Sequence, residues 1–424
     1  MVEPGLVEGV STAPAGTLDL EAIRARFPAL QRRVGGRAAA YFDGPGGSQV
    51  PDVVIEAVGA YLERSNANAG GAFASSRETD AVLAAAHDAA ADFLGAESGE
   101  IAFGANMTTL NFLLSHAVAR TLSPGDEVIV TQLDHDANVS PWYRAAEDRG
   151  LELRVAPIDP ADGGLDLDAL EALICERTRV VAYTVASNAL GNIPDAARIA
   201  AVAHGVGALA WADGVHMAPH RRLDRAALGA DVLLCSPYKF FGPHLGVAAI
   251  GRELAERLPA DRVRAAASSP PGHRFETGTL SHEALAGAIA AIDYLADLGP
   301  ATGSRRERLD AGYAAIRAHE DALTARFLAA LEEIDGIRLY GIADRDRIDE
   351  RTPTFLLGFD RRRPADAAAA LGERGMFAWD GHFYAVGPLG ALGLLPEGGV
   401  RVGFLHYTTE GEVDDLAAAL GEIA

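Results

Sequence analysis

One lysine lies between two apolar runs, where an unpartnered charge would be costly. Lys239 ends the segment Ser236-Pro237-Tyr238-Lys239, with apolar residues 232–235 before it and 246–250 after it. A buried ammonium is paired, hydrogen-bonded or chemically used. Burial lowers the pKa of an amine and makes it nucleophilic enough to form a Schiff base with an aldehyde cofactor. Taken alone, the segment favours a loop lysine that reaches water.

Three further polar residues follow predicted strands and could serve the same chemistry. Asp213 follows the apolar run 208–212, and a carboxylate there could keep a proton on a heteroaromatic nitrogen, as a pyridoxal phosphate ring requires. His135 could stack on a flat cofactor, and Asn188 could donate to a phenolic oxygen. Each residue has a plainer interpretation. Asp213 could cap a helix, His135 could lie on the surface between two acids, and Asn188 could belong to a turn.

A strand-to-helix junction at residues 101–119 could bind an anion. The strand ends at Asn106-Met107-Thr108-Thr109 and an apolar helix begins there. Free N–H groups and threonine hydroxyls at a helix N-terminus attract phosphate. Ordinary capping by Thr108 or Thr109 explains the same residues equally well. The glycine-rich stretch 43–48 also allows a close backbone approach, although a simple turn is favoured there over a phosphate site.

Strands and helices alternate between residues 128 and 250. This alternation predicts an α/β fold with a mostly parallel sheet covered by helices, in which ligands lie beyond the carboxyl ends of the strands. Two long helices follow, at 280–298 and 310–334, and then a smaller α+β domain. The predicted organisation has three parts: an N-terminal tail and helix packing on the small domain (1–40), a large cofactor-binding domain (41–300) and a small C-terminal domain (301–424).

Composition excludes several classes of partner. The 424 residues carry a net charge of −22, which argues against nucleic acid and anionic membranes, because both attract clustered cationic charge. Two cysteines in apolar contexts, Cys175 and Cys235, predict a reducing compartment and no metal cluster. Residues 1–17 are predicted to be a frayed tail without the basic residues of a secretory signal. We therefore expect a cytoplasmic protein.

These motifs, in this order, resemble the class V aminotransferase and cysteine desulfurase family of fold-type I pyridoxal phosphate (PLP) enzymes. The resemblance is greatest to the cysteine desulfurase-like branch and covers about residues 41–420. It implies Lys239, His135 and Asp213 as catalytic residues. The cofactor-binding residues that it implies are Lys239, Asp213, His135, Asn188, His216, Met107, Thr108, Ser236, Tyr238 and Thr279.

The resemblance also implies an assembly and a substrate class. Residues 275–279 are similar to a segment that crosses to the partner subunit's cofactor, which implies a homodimer whose active sites lie at the interface and receive Thr279 in trans. Arg401 corresponds to an arginine that clamps a substrate carboxylate, so a small-molecule amino acid is expected. Two residues depart from the family pattern: His216 replaces a glutamine, and Tyr238 replaces a phosphate-binding histidine.

A third departure bears on the reaction. Cysteine desulfurases carry a mobile-loop cysteine in a Gly-His-His-Cys-Ala segment, whereas this chain has Gly381-His382-Phe383-Tyr384-Ala385. Tyr384 takes the place of the thiol, and Trp379 a place often held by arginine. Persulfide formation requires a thiolate directed at the substrate sulfur. We therefore expect an enzyme that is not a persulfide-forming desulfurase.

The expected reaction is a C–S β-lyase acting on a cysteine S-conjugate and releasing a thiol, pyruvate and ammonia. Trp379, Phe383 and Tyr384 would line a pocket for a bulky substituent, although Phe383 could equally pack within the small domain. Tyr384 and His216 are candidates for protonating the leaving group. The alternatives are an aminotransferase, a decarboxylating oxidative deaminase or an amino-acid epimerase. A non-catalytic homologue is a further alternative.

Overall fold

The structure, a computed structural model, describes residues 18–424. The predicted tail at residues 1–17 lies outside this range. The first described helix, Leu20–Ala25, is joined to the C-terminal helix by an ion pair between Arg24 and Glu412 at 2.9 Å. Phe27, which follows it, packs edge-on against Phe241 of the segment that carries Lys239. Residues 20–27 therefore contact both the C-terminal helix and the segment that carries Lys239.

A seven-stranded sheet forms the centre of the larger part of the molecule. Its strands are β1 (Ile101–Gly104), β2 (Glu127–Thr131), β3 (Glu152–Ala156), β4 (Thr178–Thr184), β5 (Leu209–Asp213), β6 (Val232–Cys235) and β7 (Gly246–Ile250). Their spatial order is β1-β7-β6-β5-β4-β2-β3. The prediction of a mostly parallel, helix-covered sheet is confirmed.

Strand β7 is the exception, because it runs antiparallel to both of its neighbours. Only residues 236–245 connect β6 to β7, and a parallel return would need a crossover of a dozen or more residues. The short connection therefore forces a reversal of direction. Lys239 lies in this connection, at the end of a short 3-10 turn, Pro237–Lys239.

Alternate residues of the strands enter two different cores. In β6, Leu233 and Cys235 belong to one buried cluster, whereas Val232 and Leu234 belong to the other. Burial on both faces explains why these strands are apolar throughout. The helices are Leu20–Ala25, Asp52–Arg64, Ala74–Leu94, Met107–Ala119, Ser140–Arg149, Leu167–Leu173, Ala196–Gly205, Arg252–Arg257, His282–Asp297, Arg305–Glu332, Pro364–Glu373, Val386–Ala391 and Glu410–Ile423.

A second, four-stranded antiparallel sheet forms the smaller α+β part. Its strands are β8 (Ile337–Tyr340), β9 (Thr354–Phe359), β10 (Trp379–Gly381) and β11 (Gly399–Gly403), in the order β8-β9-β11-β10. They share a separate hydrophobic core with the last helix. Strand β10 was not predicted; it is a three-residue edge strand whose residues are largely exposed, so it lacks an apolar pattern.

The long helix Arg305–Glu332 belongs to both parts. Leu309 and Ile316 pack in a core of the large sheet, whereas Leu323 and Phe327 pack in the core of the small one. The domain boundary near residue 300 stays a prediction, because this one helix contributes to each core. Over residues 18–424, we find no helix with the length and apolarity needed to cross a membrane.

Candidate active site

Lys239 is buried and hydrogen-bonded, unlike the solvated loop lysine that its own segment favoured when taken alone. Its Nζ donates to the carbonyl oxygen of Pro45 at 2.5 Å, and the residue is 9% exposed. Burial, and to a smaller extent the nearby Arg401 charge, lower the pKa of Lys239 to about 7, although Asp213 opposes both effects. Near pH 7, Lys239 is therefore uncharged in about half of the protein molecules, and the uncharged amine can act as a nucleophile.

The glycine-rich turn approaches the lysine segment. A Cβ on Gly47 would lie 3.2 Å from the ring of Tyr238. The Ser48 N–H donates to the Tyr238 carbonyl at 3.1 Å, and the Ser48 hydroxyl accepts from the Phe241 N–H at 2.7 Å. The glycines thus make room for the backbone on either side of Lys239, which agrees with a turn.

Asp213 ends β5 and is buried at the wall of a cavity that Lys239 also lines. Its Oδ1 accepts from the Val215 N–H at 2.9 Å. Burial raises the pKa of Asp213 to about 6, against the opposing effects of that N–H and of Lys239. A carboxylate in such surroundings is suited to a cationic N–H partner, because pairing would offset the cost of burying its charge.

His135 presents a neutral imidazole to the same cavity. Its Nδ1 accepts from the Ala137 N–H at 3.0 Å, so that nitrogen carries no proton. Burial, Lys239 and Arg401 lower the pKa of His135 to about 4. A neutral, flat ring next to a cavity is suited to stacking on another ring.

The helix Met107–Ala119 begins at the cavity and is capped by Asn106. Asn106 Oδ1 accepts from the Thr109 N–H at 2.8 Å, so the interpretation that Thr108 or Thr109 is the cap is wrong. The Met107 N–H donates to the Ser236 hydroxyl at 3.0 Å. Thr108 lines the cavity and remains available to a ligand.

Arg401 projects from β11 into the outer part of the site. Its Nη1 donates to the Asn188 backbone carbonyl at 2.8 Å, and its Cζ lies 4.2 Å from the centre of the Phe383 ring. Arg401 Nε is buried without a hydrogen-bond partner. Burial lowers the pKa of Arg401 to about 9, which Tyr238 and Asp43 partly oppose. The site thus holds a cation whose hydrogen bonds are incompletely satisfied.

Two connected cavities gather thirteen of the fourteen predicted site residues. The inner cavity is lined by Lys239, Asp213, His135, Asn188, His216, Met107, Thr108, Ser236 and Tyr238. The outer cleft, of about 800 Å³, adds Arg401, Trp379, Phe383 and Tyr384. Thr279 lines neither cavity and is exposed, so its role toward a partner's cofactor stays a prediction.

The loop at residues 382–385 is strained where it borders the cleft. Phe383 and Tyr384 have φ angles of 54° and 55°, in the left-handed region that side chains rarely adopt. The Asn188 amide donates to the Phe383 carbonyl at 2.9 Å, and the Tyr384 carbonyl accepts from the Asp136 N–H at 2.8 Å. Strain of this kind persists where the surroundings fix it, commonly at functional sites.

Several residues of the site lacked a sequence signal of their own. Asp43 is mostly buried, its Oδ1 has no partner, and burial raises its pKa to about 6 despite the Arg401 charge. Behind His135, Asn111 donates to Asn138 at 3.0 Å, and Asn138 donates to Asp134 at 2.8 Å. Asp43 and Asn111 are far from His135 in the chain, and an isolated acid or amide gives no pattern, whereas Asp134 and Asn138 flank His135 within the segment 134–138.

One signal was available for Lys239, however. It is the only lysine among the 424 residues. Every other residue of the Lys and Arg types is an arginine. Lys239 therefore carries the only primary amine among the side chains, and this amine is buried in a cavity. Chemistry that needs an amine has therefore only this side chain to use.

The residues present fit pyridoxal phosphate. Lys239 offers an amine of low pKa, Asp213 a buried carboxylate, and His135 a neutral ring. The helix start at Met107, together with Thr108 and Ser236, offers donors suited to a phosphate. Asn188 Oδ1 is buried without a partner, an unmet hydrogen-bonding capacity that a bound group would meet.

Comparison with known proteins agrees with this geometry. Residues 40–416 match the family described as aminotransferase class-V. The chain belongs to the class V aminotransferase family. Members of this family are PLP-dependent enzymes, and the predicted fold type and family are thereby confirmed.

Relatives of this class V family member include proteins named as aminotransferase-like and proteins named as cysteine desulfurases. An aminotransferase-like protein, FGM3, from Gibberella zeae is 33% identical over 416 residues, covering 96% of this chain and 98% of the relative. A probable cysteine desulfurase from Halobacterium salinarum is 34% identical, covering 96% and 97%. The apo structure of a cysteine desulfurase from Thermococcus onnurineus superposes with a TM-score of 0.84 at 26% identity, covering 95% and 97% of the two chains.

Proposed function

We propose that this class V family member is a PLP-dependent C–S β-lyase that cleaves a cysteine S-conjugate. The proposal rests on the loop residue Tyr384, which borders the outer cleft. The cysteine desulfurases that this chain resembles carry a thiol at that position. The overall change would consume water and release a thiol, pyruvate and ammonia. That the protein is a PLP-dependent enzyme of this family does not depend on which bond is cleaved.

Lys239, Asp213, His135, Asn188, Ser236 and the start of the helix at Met107 would hold the cofactor. When bound, pyridoxal phosphate supplies an aldehyde that condenses with amines and a protonated ring that accepts the electrons of a bond broken at Cα. Asp213 would hold the proton on the ring nitrogen. His216, whose Nε2 is 3.0 Å from the Thr354 hydroxyl, would border the same ring.

The chain's own groups would then orient the substrate and move its proton. Arg401 has unsatisfied hydrogen-bonding capacity and would bind the α-carboxylate in a bidentate pair. Lys239 would remove the proton from Cα, a step for which a base with a pKa near neutrality is suited. Tyr384 or His216 would protonate the departing sulfur.

The cysteines support this choice over persulfide formation. Cys235 is fully buried in β6, and burial raises the pKa of its thiol. Cys175 lies in the loop between the helix Leu167–Leu173 and β4, with its Sγ 3.3 Å from Glu127. Neither lines the inner cavity or the outer cleft. A thiolate placed to attack a substrate sulfur is therefore lacking at this site among the described residues.

The reaction is tested by product analysis with S-substituted cysteines and with free cysteine. The proposal expects pyruvate, ammonia and the free thiol from the conjugate. Persulfide formation, which the names of several relatives favour, would instead give alanine from free cysteine. A keto acid with its C–S bond intact would identify an aminotransferase, and deuterium incorporation at Cα without a new product would identify an epimerase. Loss of CO₂ would identify a decarboxylating deaminase.

The cofactor is tested separately by colour and reduction. The purified protein should be yellow, and borohydride should bleach the band and attach the cofactor covalently to Lys239. Because the chain has a single lysine, peptide mapping has one expected side-chain site. A colourless Lys239→Ala protein is expected. A wild-type protein that takes up no PLP would overturn the enzyme proposal.

Tyr384→Cys tests how much of the reaction depends on the loop residue. We expect little persulfide formation in this variant, because Trp379 and the loop backbone also differ from the desulfurase pattern. Efficient alanine production from cysteine would contradict that expectation. We further propose a homodimer in which Thr279 reaches the partner's cofactor, which sedimentation and a Thr279→Ala measurement of PLP affinity would test.

A further inference from the structure

A second group of chemically capable side chains lies away from the cleft, beside the edge strand β1. His87 comes from the helix Ala74–Leu94, and His273 and Glu276 come from a short turn that follows residue 271. One nitrogen or oxygen atom from each of the three lies within 4.8 Å of the others. Two imidazoles and a carboxylate are the ligand types that zinc binds.

The two ring nitrogens of His87 have different partners: one contacts a backbone carbonyl and the other faces Glu276. His87 Nδ1 lies 2.7 Å from the Leu83 carbonyl oxygen. A carbonyl oxygen only accepts, so Nδ1 carries the proton. The other ring nitrogen, Nε2, lies 2.8 Å from Glu276 Oε1. Metal-binding histidines commonly donate their second N–H to a backbone carbonyl in this way, which fixes the tautomer and the ring orientation.

His273 supplies a nitrogen that has no other use. Its ring packs against the ring of His87 with centroids 3.8 Å apart, and its Nε2 is buried without a hydrogen-bond partner. A buried polar atom without a partner is rare and costs free energy. Nothing in the PLP chemistry proposed above uses these three residues, and the inner cavity and outer cleft do not include them.

From this arrangement we propose that His87, His273 and Glu276 form a structural zinc site with water as the fourth ligand. Tetrahedral zinc with bonds of about 2.0–2.1 Å places its ligand atoms about 3.3 Å apart. His87 Nε2 and Glu276 Oε1 are 2.8 Å apart, and all three ligand atoms lie within 4.8 Å of one another, so shifts of about an ångström would bring them to the tetrahedral spacing. The side chain of Glu276 is 12% exposed and that of His87 is 4% exposed, so the ion would enter past the carboxylate.

The site would join three separate elements. Glu276 Oε1 also accepts from the Phe103 N–H of β1 at 3.0 Å. A bound ion would therefore connect the helix that carries His87, the edge strand β1 and the turn that precedes residues 277–279. A zinc ion in this position would stabilise the fold next to the exposed residues 277–279.

Zinc binding to the chelator-treated holoenzyme tests the proposal. Titration calorimetry and elemental analysis should give one zinc ion per chain, and zinc should raise the melting temperature. Co²⁺ should give visible ligand-field bands at longer wavelength than the cofactor band. His273→Gln should lower zinc affinity at least about tenfold and abolish the rise in melting temperature. Glu276→Gln, which can still accept from Phe103, should do the same.

His204→Gln provides the matched control. His204 Nε2 contacts Asp231 at 2.9 Å, a histidine–carboxylate pair on the surface, and zinc affinity should be unchanged by its replacement. The proposal is overturned if the wild-type protein binds no stoichiometric zinc. It is equally overturned if His273→Gln and Glu276→Gln bind zinc as tightly as the wild-type protein does. Neither result depends on the reaction proposed for the cleft.

Discussion

The ammonium of Lys239 donates to the carbonyl oxygen of Pro45 at 2.5 Å, across 194 residues of sequence. This bond links the lysine between β6 and β7 to a turn near the start of the described chain. One hydrogen bond to a neutral carbonyl satisfies only part of an ammonium group, which has three donors. The amine is therefore held in place while its charge remains poorly compensated.

Replacing Lys239 with methionine should stabilise the protein without cofactor. The pKa of Lys239 falls from 10.5 to about 7 on folding, so the folded state binds fewer protons than the unfolded state between these values. At pH 7 this difference costs the wild-type fold about 4 kcal/mol. Urea unfolding of the two proteins without PLP should show a gain of that size for Lys239→Met.

The pH dependence gives the control for this stability prediction. Between pH 7 and pH 10, the stability of the wild-type protein should rise relative to that of the variant, because the unfolded lysine still holds a proton that the folded lysine has lost, and unfolding must take up that proton. The difference between the two should shrink accordingly. A constant difference would show that packing, and not charge burial, is responsible.

Cofactor uptake by the apo protein should depend on the same amine. Only the neutral form attacks an aldehyde, so the rate of PLP incorporation should rise with pH with a midpoint of about 7. An exposed lysine would place this midpoint near 10.4. Stopped-flow absorbance measures the rate, and a midpoint near 10 would contradict the buried-amine assignment.

Arg401→Lys should weaken substrate binding more than it slows turnover. A lysine keeps the charge but loses the planar pair of donors that matches a carboxylate. We expect KM for the amino-acid substrate to rise about 10- to 100-fold. Steady-state kinetics on the conjugate measures this change.

Arg338→Lys is the matched control for Arg401. Arg338 also lies over an aromatic ring, with its Cζ 4.9 Å from the centre of Tyr340, but it lines neither the inner cavity nor the outer cleft. Its replacement should leave KM unchanged. Equal effects of the two substitutions would remove Arg401 from the carboxylate site.

Gly246→Ala should disturb the start of the helix Met107–Ala119. A Cβ at Gly246 would lie 2.3 Å from the backbone carbon of Asn106, so β7 and the helix cap must move apart. Overpacking of this kind costs about 1–3 kcal/mol. Because the helix start is the proposed phosphate site, PLP affinity should also fall, by about tenfold.

Gly59→Ala provides the control, since a Cβ there meets nothing within 4 Å and the residue lies inside a helix. Alanine is favoured over glycine in helices by about 1 kcal/mol, so this variant should be as stable as the wild-type protein or more so. PLP affinity should not change. If Gly246→Ala retains full affinity, the helix start does not bind the phosphate.

The sequence predicted the sheet and most of the inner cavity for a common reason. Apolar runs alternating with helices indicate a parallel sheet, and residues at the ends of such strands converge at one edge. His135, Asp213 and Lys239 all follow strands in this way. The single lysine of the chain adds a compositional signal that does not need the fold at all.

Other parts of the site depend on contacts that no local pattern encodes. No periodic sequence pattern marks the capping residue Asn106, the acid Asp43 near Arg401 or the edge strand β10. The left-handed backbone of Phe383 and Tyr384 appears only in the structure. The cluster of His87, His273 and Glu276 brings together residues 189 positions apart.

By itself the sequence determined the fold class, the family and the amine available for chemistry, because hydrophobic period and residue type act locally along the chain. Tertiary structure alone decided that this amine is buried against Pro45 and that Arg401 lies over Phe383. It alone joins two histidines and a glutamate beside β1. Burial and the approach of distant segments set these charges and their pKa values, and neither is a property of any one stretch of sequence.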